Sequence, residues 1–281
     1  KAKFFKLDIH NKNRVRKIIE KYKIDSIIHL AAHLIIGEGQ KKPKKYFKNN
    51  VLGTKNLLDA CKDTTVKNFI FSSTAAIYKE GQYKVSEKSK IKPKSIYGKT
   101  KIKAENLIRD FAKKNKINYG ILRYFNIAGS SPSGKIGLIN KNSDHLFKNY
   151  SIEILKKKPK LKIYGTNYKT KDGSCIRDFI HVSDIAEIHY LVLEKINKLN
   201  ISKILNCGYN EGTSVLQVAK EFKSQSSKKV NIIETKRRSN DLIKIIASNN
   251  NLKKFINWKP KFNNLGKIVK SCIVWEKKLN K

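Results

Sequence analysis

The chain has 281 residues, is 40% hydrophobic and carries a formal net charge of +40, so it can bury a sizeable core and is too apolar for a disordered tail. No run of about 18 apolar residues and no signal-like opening segment occurs, which excludes a membrane-spanning helix and makes a cytoplasmic protein the expectation. The basic residues are spread over the whole length with no basic arm and no aromatic-interleaved patch. The charge is therefore read as compositional bias that attracts anionic small molecules, and nucleic acid is not the expected partner.

The chain contains no methionine and opens in mid-element with K-A-K-F-F-K-L-D-I, so it reads as a fragment or processed form. Phe4 to Leu7 resembles the end of a strand, closed by Asp8-Ile9. Asn11 to Tyr22 carries Val15, Ile18, Ile19 and Tyr22 at helical spacing. Ser26 to Leu30 is a short apolar strand, followed by the small residues Ala31 and Ala32. Pro43 opens a long helix with Tyr46, Phe47, Val51, Leu57, Leu58 and Cys61. A strand at Phe69, a helix starting near Tyr97 and a strand from Tyr119 to Tyr124 follow. Strands alternating with helices predict βαβ units on a parallel sheet, hence a Rossmann-like doubly wound α/β fold. The first strand, glycine-rich phosphate turn and helix of such a fold are missing, since no G-x-G-x-x-G or G-x-x-G-x-x-G occurs. Beyond Asn126 the elements shorten: a helix near Ser151 to Lys157, a strand at Lys162 to Tyr164, a helix over Asp184 to Ile196, a strand at Ile204 to Cys207 and a helix over Ser214 to Lys223. A smaller α/β substrate domain is expected over 127–281, interleaved with a first domain over 1–126. Cys61, Cys175, Cys207 and Cys272 are widely spaced, so neither a disulfide framework nor a metal site is indicated.

The stretch from Asn68 to Lys101 carries the chemistry. Phe69 to Ser72 is an apolar run ending in hydroxyls, the pattern of a buried parallel strand that delivers Ser72, Ser73 and Thr74 to its carboxyl end. Open sheets bind ligands at that end. One loop later, Tyr97 and Lys101 stand four residues apart on an expected first helical turn, so both project from one face. A converging hydroxyl, phenol and ammonium suit proton transfer coupled to hydride transfer. The ammonium stabilises phenolate and is expected to lower the tyrosine pKa from about 10, and the hydroxyl hydrogen-bonds the reacting oxygen. Spacing alone is uninformative here, because 12 Tyr among 62 Lys and Arg give about two or three such pairs by chance. The chain has two, Tyr97 to Lys101 and Tyr119 to Arg123; the hydroxyl-tipped strand upstream singles out the first.

Six segments lie in order over essentially the whole chain: H-L-A-A at 29–32, N-N-V-L-G-T at 49–54, F-S-S-T-A-A-I-Y at 71–78, Y-G-K-T-K at 97–101, R-Y-F-N-I-A-G at 123–129 and D-G-S-C-I-R-D-F-I-H-V at 172–182. On these the chain resembles the extended short-chain dehydrogenase/reductases, and within them the UDP-glucose 4-epimerases, for which the last two segments are the specific ones. The resemblance implies interconversion of UDP-glucose and UDP-galactose with NAD, through a 4-keto sugar, by a homodimer that pairs the helices beginning near Pro43 and Tyr97. It implies that Tyr97 is the catalytic base, Lys101 its activator and a ligand of the nicotinamide ribose, and Thr74 the hydroxyl on the sugar 4-oxygen. It places Asp8 and Ile9 at adenine, Leu30, Ala31, Ala32 and Asn50 along the dinucleotide, and Tyr124 and Phe125 at the nicotinamide end. Asn126, His145, Leu146, Ile163, Tyr164, Arg177, Phe179, Arg238 and Asp241 fall around the UDP-sugar, where arginine suits a diphosphate by geometry.

Simpler readings stand beside several of these. Asp8 ends a strand, Asn50 caps or packs, His145 is a surface residue, Arg177 and Asp178 form a structural ion pair, and Arg238 is one base in a basic stretch. The chain also departs from the pattern: Leu34 stands where a lysine is usual, and Arg238 to Asp241 lacks the usual glycine or proline. Two rival functions remain, a sugar-nucleotide 4,6-dehydratase and a non-catalytic Rossmann-like binding protein. Dehydratases of the family follow the threonine with Asp-Glu, whereas Thr74 is followed here by Ala75-Ala76.

Overall fold

The computed structural model describes residues 2–140, 143–238 and 242–280. They form two compact units, one from 1–79, 90–123 and 190–205, the other from 80–89, 124–189 and 206–281.

The first unit is built on a four-stranded sheet in the order Ser26–His29, Asn68–Thr74, Asn118–Tyr124 and Lys203–Cys207. The first two strands are parallel, with Ser26 opposite Asn68 and His29 opposite Phe71. Asn68–Thr74 is buried along its whole length except at Thr74, as expected for an inner strand covered on both faces. Val15 and Ile19 of the helix Lys12–Lys21, Leu57 and Leu58 of the helix Gly53–Cys61, and Ala104 and Ile108 of the helix Ile96–Asn115 close one core over Phe69, Phe71 and Ile121. The long helix expected from Pro43 runs as Pro43–Phe47, a π turn over Lys48–Leu52, and Gly53–Cys61. Phe4 to Leu7 does not form the expected strand: it is extended but has no strand partner among the described residues, and a strand exists only through its ladder.

The second unit holds three small sheets. One has the order Thr213–Ser214, Ile176–Arg177, Lys244–Ala247 and Lys84–Val85; Asn231–Thr235 runs parallel to Lys160–Tyr164, and Asn126–Ala128 parallel to Phe179–His181. The helix placed by sequence near Ser151 to Lys157 lies earlier, at Leu146–Ile154. A helix over Leu265–Leu279, not foreseen, buries Ile268, Val269, Cys272, Ile273 and Trp275. All four cysteines are buried free thiols. Among the described residues, no helix is long and apolar enough to cross a membrane, and no cluster of His, Cys, Asp and Glu could hold a metal ion.

Candidate active site

Thr74 ends its strand where the chain turns into a single 3-10 turn, Ala75–Ile77, and its hydroxyl accepts from the backbone N–H of Ala76 at 3.2 Å. The helix Ile96–Asn115 starts with Ser95, whose hydroxyl caps the N–H of Gly98 at 3.0 Å. The Thr74 hydroxyl lies near enough to the Tyr97 phenol to oppose the rise in its pKa. Gly98 permits the approach: a Cβ there would sit 2.5 Å from the carbonyl oxygen of Ala76 and 2.9 Å from Pro93. Gly98→Ala is therefore expected to push the helix start off the 75–77 turn. It should cost about 1–3 kcal/mol as an overpacking change and move Tyr97 away from Thr74, which melting curves and turnover would both report.

The electrostatics depart from the sequence expectation. Burial pushes the Tyr97 phenol up to about 12, opposed by the Thr74 hydroxyl, so the site does not lower it. The first-turn position supplies only the partial positive charge of a helix N-terminus. Lys101 is 2% exposed; burial pulls it down to about 7, with the charge of Glu105 acting in the opposite direction. Its Nζ stands 4.3 Å from the Phe71 ring centroid and has no hydrogen-bond partner among the described residues. His29, buried beside Phe71, is pulled down to about 4 by burial and by Lys101, and its Nε2 pairs with the Thr54 hydroxyl at 2.9 Å.

Beneath these groups lies a network that the sequence reading missed. Glu105 accepts from Arg123 through Nε at 3.1 Å and Nη2 at 2.7 Å, and from the Ser73 hydroxyl at 2.5 Å. Arg123 Nη1 also donates to the Tyr78 hydroxyl at 3.0 Å. All four side chains are buried. The available signal was one more helical step, Tyr97, Lys101 and Glu105 at intervals of four.

Of the residues expected along a dinucleotide, Leu30 and Ala31 are exposed and Ala32 is half-buried. Asn50 is buried and its amide is fully used: Oδ1 accepts from the His33 N–H at 2.8 Å, and Nδ2 donates to the His33 carbonyl at 2.9 Å and to Thr100 at 3.1 Å. Its side chain thus fixes the loop after His29 and leaves no free donor for a ligand. Ile9 packs over Gly53, where a Cβ would come within 2.6 Å.

Asp8 is exposed and binds His10, whose Nδ1 lies 2.7 Å from Asp8 Oδ1 and Nε2 3.0 Å from the Lys48 carbonyl. Both partners are acceptors, so both ring nitrogens must carry protons, and the Lys48 and Asp8 bonds raise the His10 pKa. A folded-state pKa above 6.5 gives stability that is complete below 6.5 and lost as pH rises through the raised value. His10→Gln should accordingly lower the melting temperature at pH 6 and leave it nearly unchanged at pH 9.

In the second unit, the Tyr124 hydroxyl meets His189 Nε2, and His189 Nδ1 lies 2.8 Å from the Ile185 carbonyl. A carbonyl only accepts, so Nδ1 carries the proton and Tyr124 donates to Nε2. Phe125 is half-buried, and the Asn126 N–H donates to the Asp178 carbonyl at 2.9 Å. Arg177 is half-exposed between Thr213 and Ile245 in the sheet. The Asp178 carboxylate accepts from the backbone N–H groups of Tyr209, Asn210 and Ala247 at 2.8, 2.9 and 3.1 Å. Ile163 and Phe179 are core side chains, the latter edge-on to Phe147 at 5.0 Å; alternation along Lys160–Tyr164 turns Ile163 inward and leaves Tyr164 half-buried, whereas all of Phe179–His181 is buried. The Arg238 guanidinium stacks on Tyr164 at 4.1 Å. His145 and Leu146 open the helix Leu146–Ile154, and burial lowers the His145 pKa. Asp241 lies outside the described residues.

The NAD dependent epimerase/dehydratase family matches residues 1–208. A UDP-glucose 4-epimerase of Azospirillum brasilense is 34% identical over 97% of this chain and 78% of its own length. Among solved structures, a UDP-glucose-4-epimerase from Stenotrophomonas maltophila with bound NAD and formylated UDP-arabinopyranose superposes with a TM-score of 0.94 at 30% identity, over 99% of this chain and 83% of that one. The UDP-Glc/GlcNAc 4-epimerase of Campylobacter jejuni gives 0.84 at 37% identity, over 98% and 84%. With a hydroxyl, a phenol and a buried lysine set on the strand and helix where that chemistry needs them, and relatives matching nearly end to end, the chain belongs to the NAD dependent epimerase/dehydratase family.

Proposed function

We propose that the chain catalyses the NAD-dependent interconversion of UDP-glucose and UDP-galactose at C4 of the hexose. The observation that carries this is Thr74 at the end of its strand, with Tyr97 on the first turn of the next helix and the buried Lys101 one turn further on. Its curated relatives are UDP-glucose 4-epimerases over almost all of this chain.

The residues fit the cofactor. A buried ammonium without a hydrogen-bond partner among the described residues suits a pair of ribose hydroxyls, and the loop of small residues after His29, tied by Asn50, allows close backbone approach. When bound, NAD supplies the acceptor and then the donor of the electron pair at C4. Tyr97 would take the proton of the 4-hydroxyl and give it back to the same oxygen once the keto sugar has turned its other face to the cofactor, Thr74 would hydrogen-bond that oxygen, and Lys101 would offset the charge that develops on the phenol. In this reading the first unit holds the dinucleotide and the second the UDP moiety. Within the second unit, Arg177 and Arg238 suit the diphosphate by geometry, and Asn126, His145, Leu146 and Tyr164 are the further residues of this reading around the UDP-sugar. Remote binding of the nucleotide retains the 4-keto sugar while it reorients. Assembly as a homodimer belongs to the same reading, and sedimentation as a monomer would remove it.

Incubated with NAD and UDP-galactose, the protein should yield UDP-glucose, followed by the anomeric and C4 signals in proton NMR. Accumulation of a stable keto sugar, or no epimerisation of any UDP-hexose while NAD is bound, would overturn the assignment.

A further inference from the structure

We propose that Glu105 is a positioning residue of the reaction: its carboxylate, pinned by Arg123 and Ser73 beneath the site, holds Lys101 as the ammonium that Tyr97 needs. The inference rests on the reading of Tyr97 and Lys101 as the catalytic pair, and it is testable without turnover.

Lys101 is a cation in a place that disfavours cations. It is 2% exposed, packed on the face of Phe71, and without a hydrogen-bond partner among the described residues. A ring face alone compensates only part of the desolvation of an ammonium. The groups that face it from the surrounding elements are few. From the first strand comes His29, whose depressed pKa makes it a neutral imidazole near pH 7. From the second come Phe71 and Ser73, both uncharged. Its own helix carries Tyr97 one turn before and Glu105 one turn after, and four-residue spacing puts all three on one face. The third strand carries Arg123, whose charge is directed at Glu105.

Glu105 is thus the carboxylate on the helix face of Lys101, and its charge opposes the fall in the Lys101 pKa that burial causes. The same carboxylate cannot rotate away. Two arginine N–H groups fix both oxygens, and the Ser73 hydroxyl at 2.5 Å fixes one of them again. Ser73 immediately precedes Thr74, so the network ties the strand end that carries the hydroxyl to the helix that carries phenol and ammonium. A purely structural ion pair could sit anywhere between that helix and the strand; this one stands four residues from the lysine.

The test follows the Lys101 Nζ in 1H–15N spectra of lysine-labelled protein, its signal assigned by loss in Lys101→Arg, through a pH titration. Glu105→Asp, which keeps the charge, should titrate close to the native protein. Glu105→Gln should move the Lys101 midpoint down by roughly one pH unit or more. Because Glu105→Gln leaves Arg123 buried and unpaired and can fail to fold, the neutral pair Glu105→Gln with Arg123→Gln is the decisive variant, and it should still move the midpoint down, by less than Glu105→Gln alone, because the repulsion of Arg123 is removed with the attraction of Glu105. With NAD and UDP-galactose, the alkaline limb of the rate profile should move with it. An unchanged Lys101 midpoint in the folded double variant would overturn the inference and leave Glu105 a structural anchor. Failure of the epimerase reading would instead appear as absent turnover with the Lys101 shift intact.

Discussion

Tyr97→Phe is expected to lower epimerase turnover by about 10²–10⁴-fold, the range for loss of a general acid–base group, with UDP-sugar affinity nearly unchanged. The substitution removes one oxygen and keeps the ring that packs at the helix start. The local structural loss is the contact of the phenol oxygen with Thr74, about 1 kcal/mol at most. The chemical loss is larger because no neighbour can substitute: Thr74 is a hydroxyl with no base beside it, and His29 is buried with its Nε2 paired to Thr54. The structure adds a condition that the sequence reading lacked. With burial holding the phenol at about 12, only about one molecule in 10⁴ would carry phenolate at pH 8 by titration alone. Activity near neutral pH therefore depends on a charged Lys101. Native turnover should rise with pH and fall once Lys101 loses its proton, whereas the residual rate of Tyr97→Phe should be flat across that range. Near-native turnover in the variant, measured by C4 NMR, would remove Tyr97 from the mechanism.

The parallel sheet was legible because its strands are short apolar runs separated by amphipathic helices, and Asn68–Thr74 needs no tertiary information to be recognised as buried. Thr74, Tyr97 and Lys101 were legible for the same reason: they occupy the end of a strand and the start of a helix, positions that local pattern fixes. What local pattern cannot show is which partner a buried polar group finds. Asn50 reads from sequence as a cofactor ligand, yet its amide closes on His33 and Thr100, separated from it by 17 and 50 residues. Tyr119 and Arg123 satisfy the same four-residue rule as Tyr97 and Lys101. They lie on a strand, where that spacing stretches to about 13 Å, and Arg123 pairs instead with Glu105 on the neighbouring helix. Ile163 and Phe179 read from sequence as substrate contacts, but alternation along Lys160–Tyr164 turns Ile163 into the core, and Phe179 lies on a strand buried at every residue. The Tyr97 pKa was misjudged in the same way, since desolvation is a property of the packed surroundings and not of the two residues.

Arg123→Met is expected to cost about 3–5 kcal/mol of stability, the range for breaking a buried ion pair by removing one partner. Methionine matches the length and much of the volume of the arginine stem, so packing is not the main loss. The loss is electrostatic: Glu105, buried to 1% exposure, would lose both arginine N–H donors and keep the Ser73 hydroxyl, and Tyr78 would lose its donor from Nη1. Urea denaturation followed by circular dichroism would measure the effect. A double variant, Glu105→Leu with Arg123→Met, separates charge from packing, because replacing a whole buried pair by apolar residues of similar volume is often neutral. The double variant should recover most of the stability lost in Arg123→Met while remaining poorly active, since Lys101 has then lost the anion on its own helix face. If Arg123→Met alone were as stable as the native protein, Glu105 would have to be satisfied without its arginine, and the network under the site would carry neither stability nor charge control.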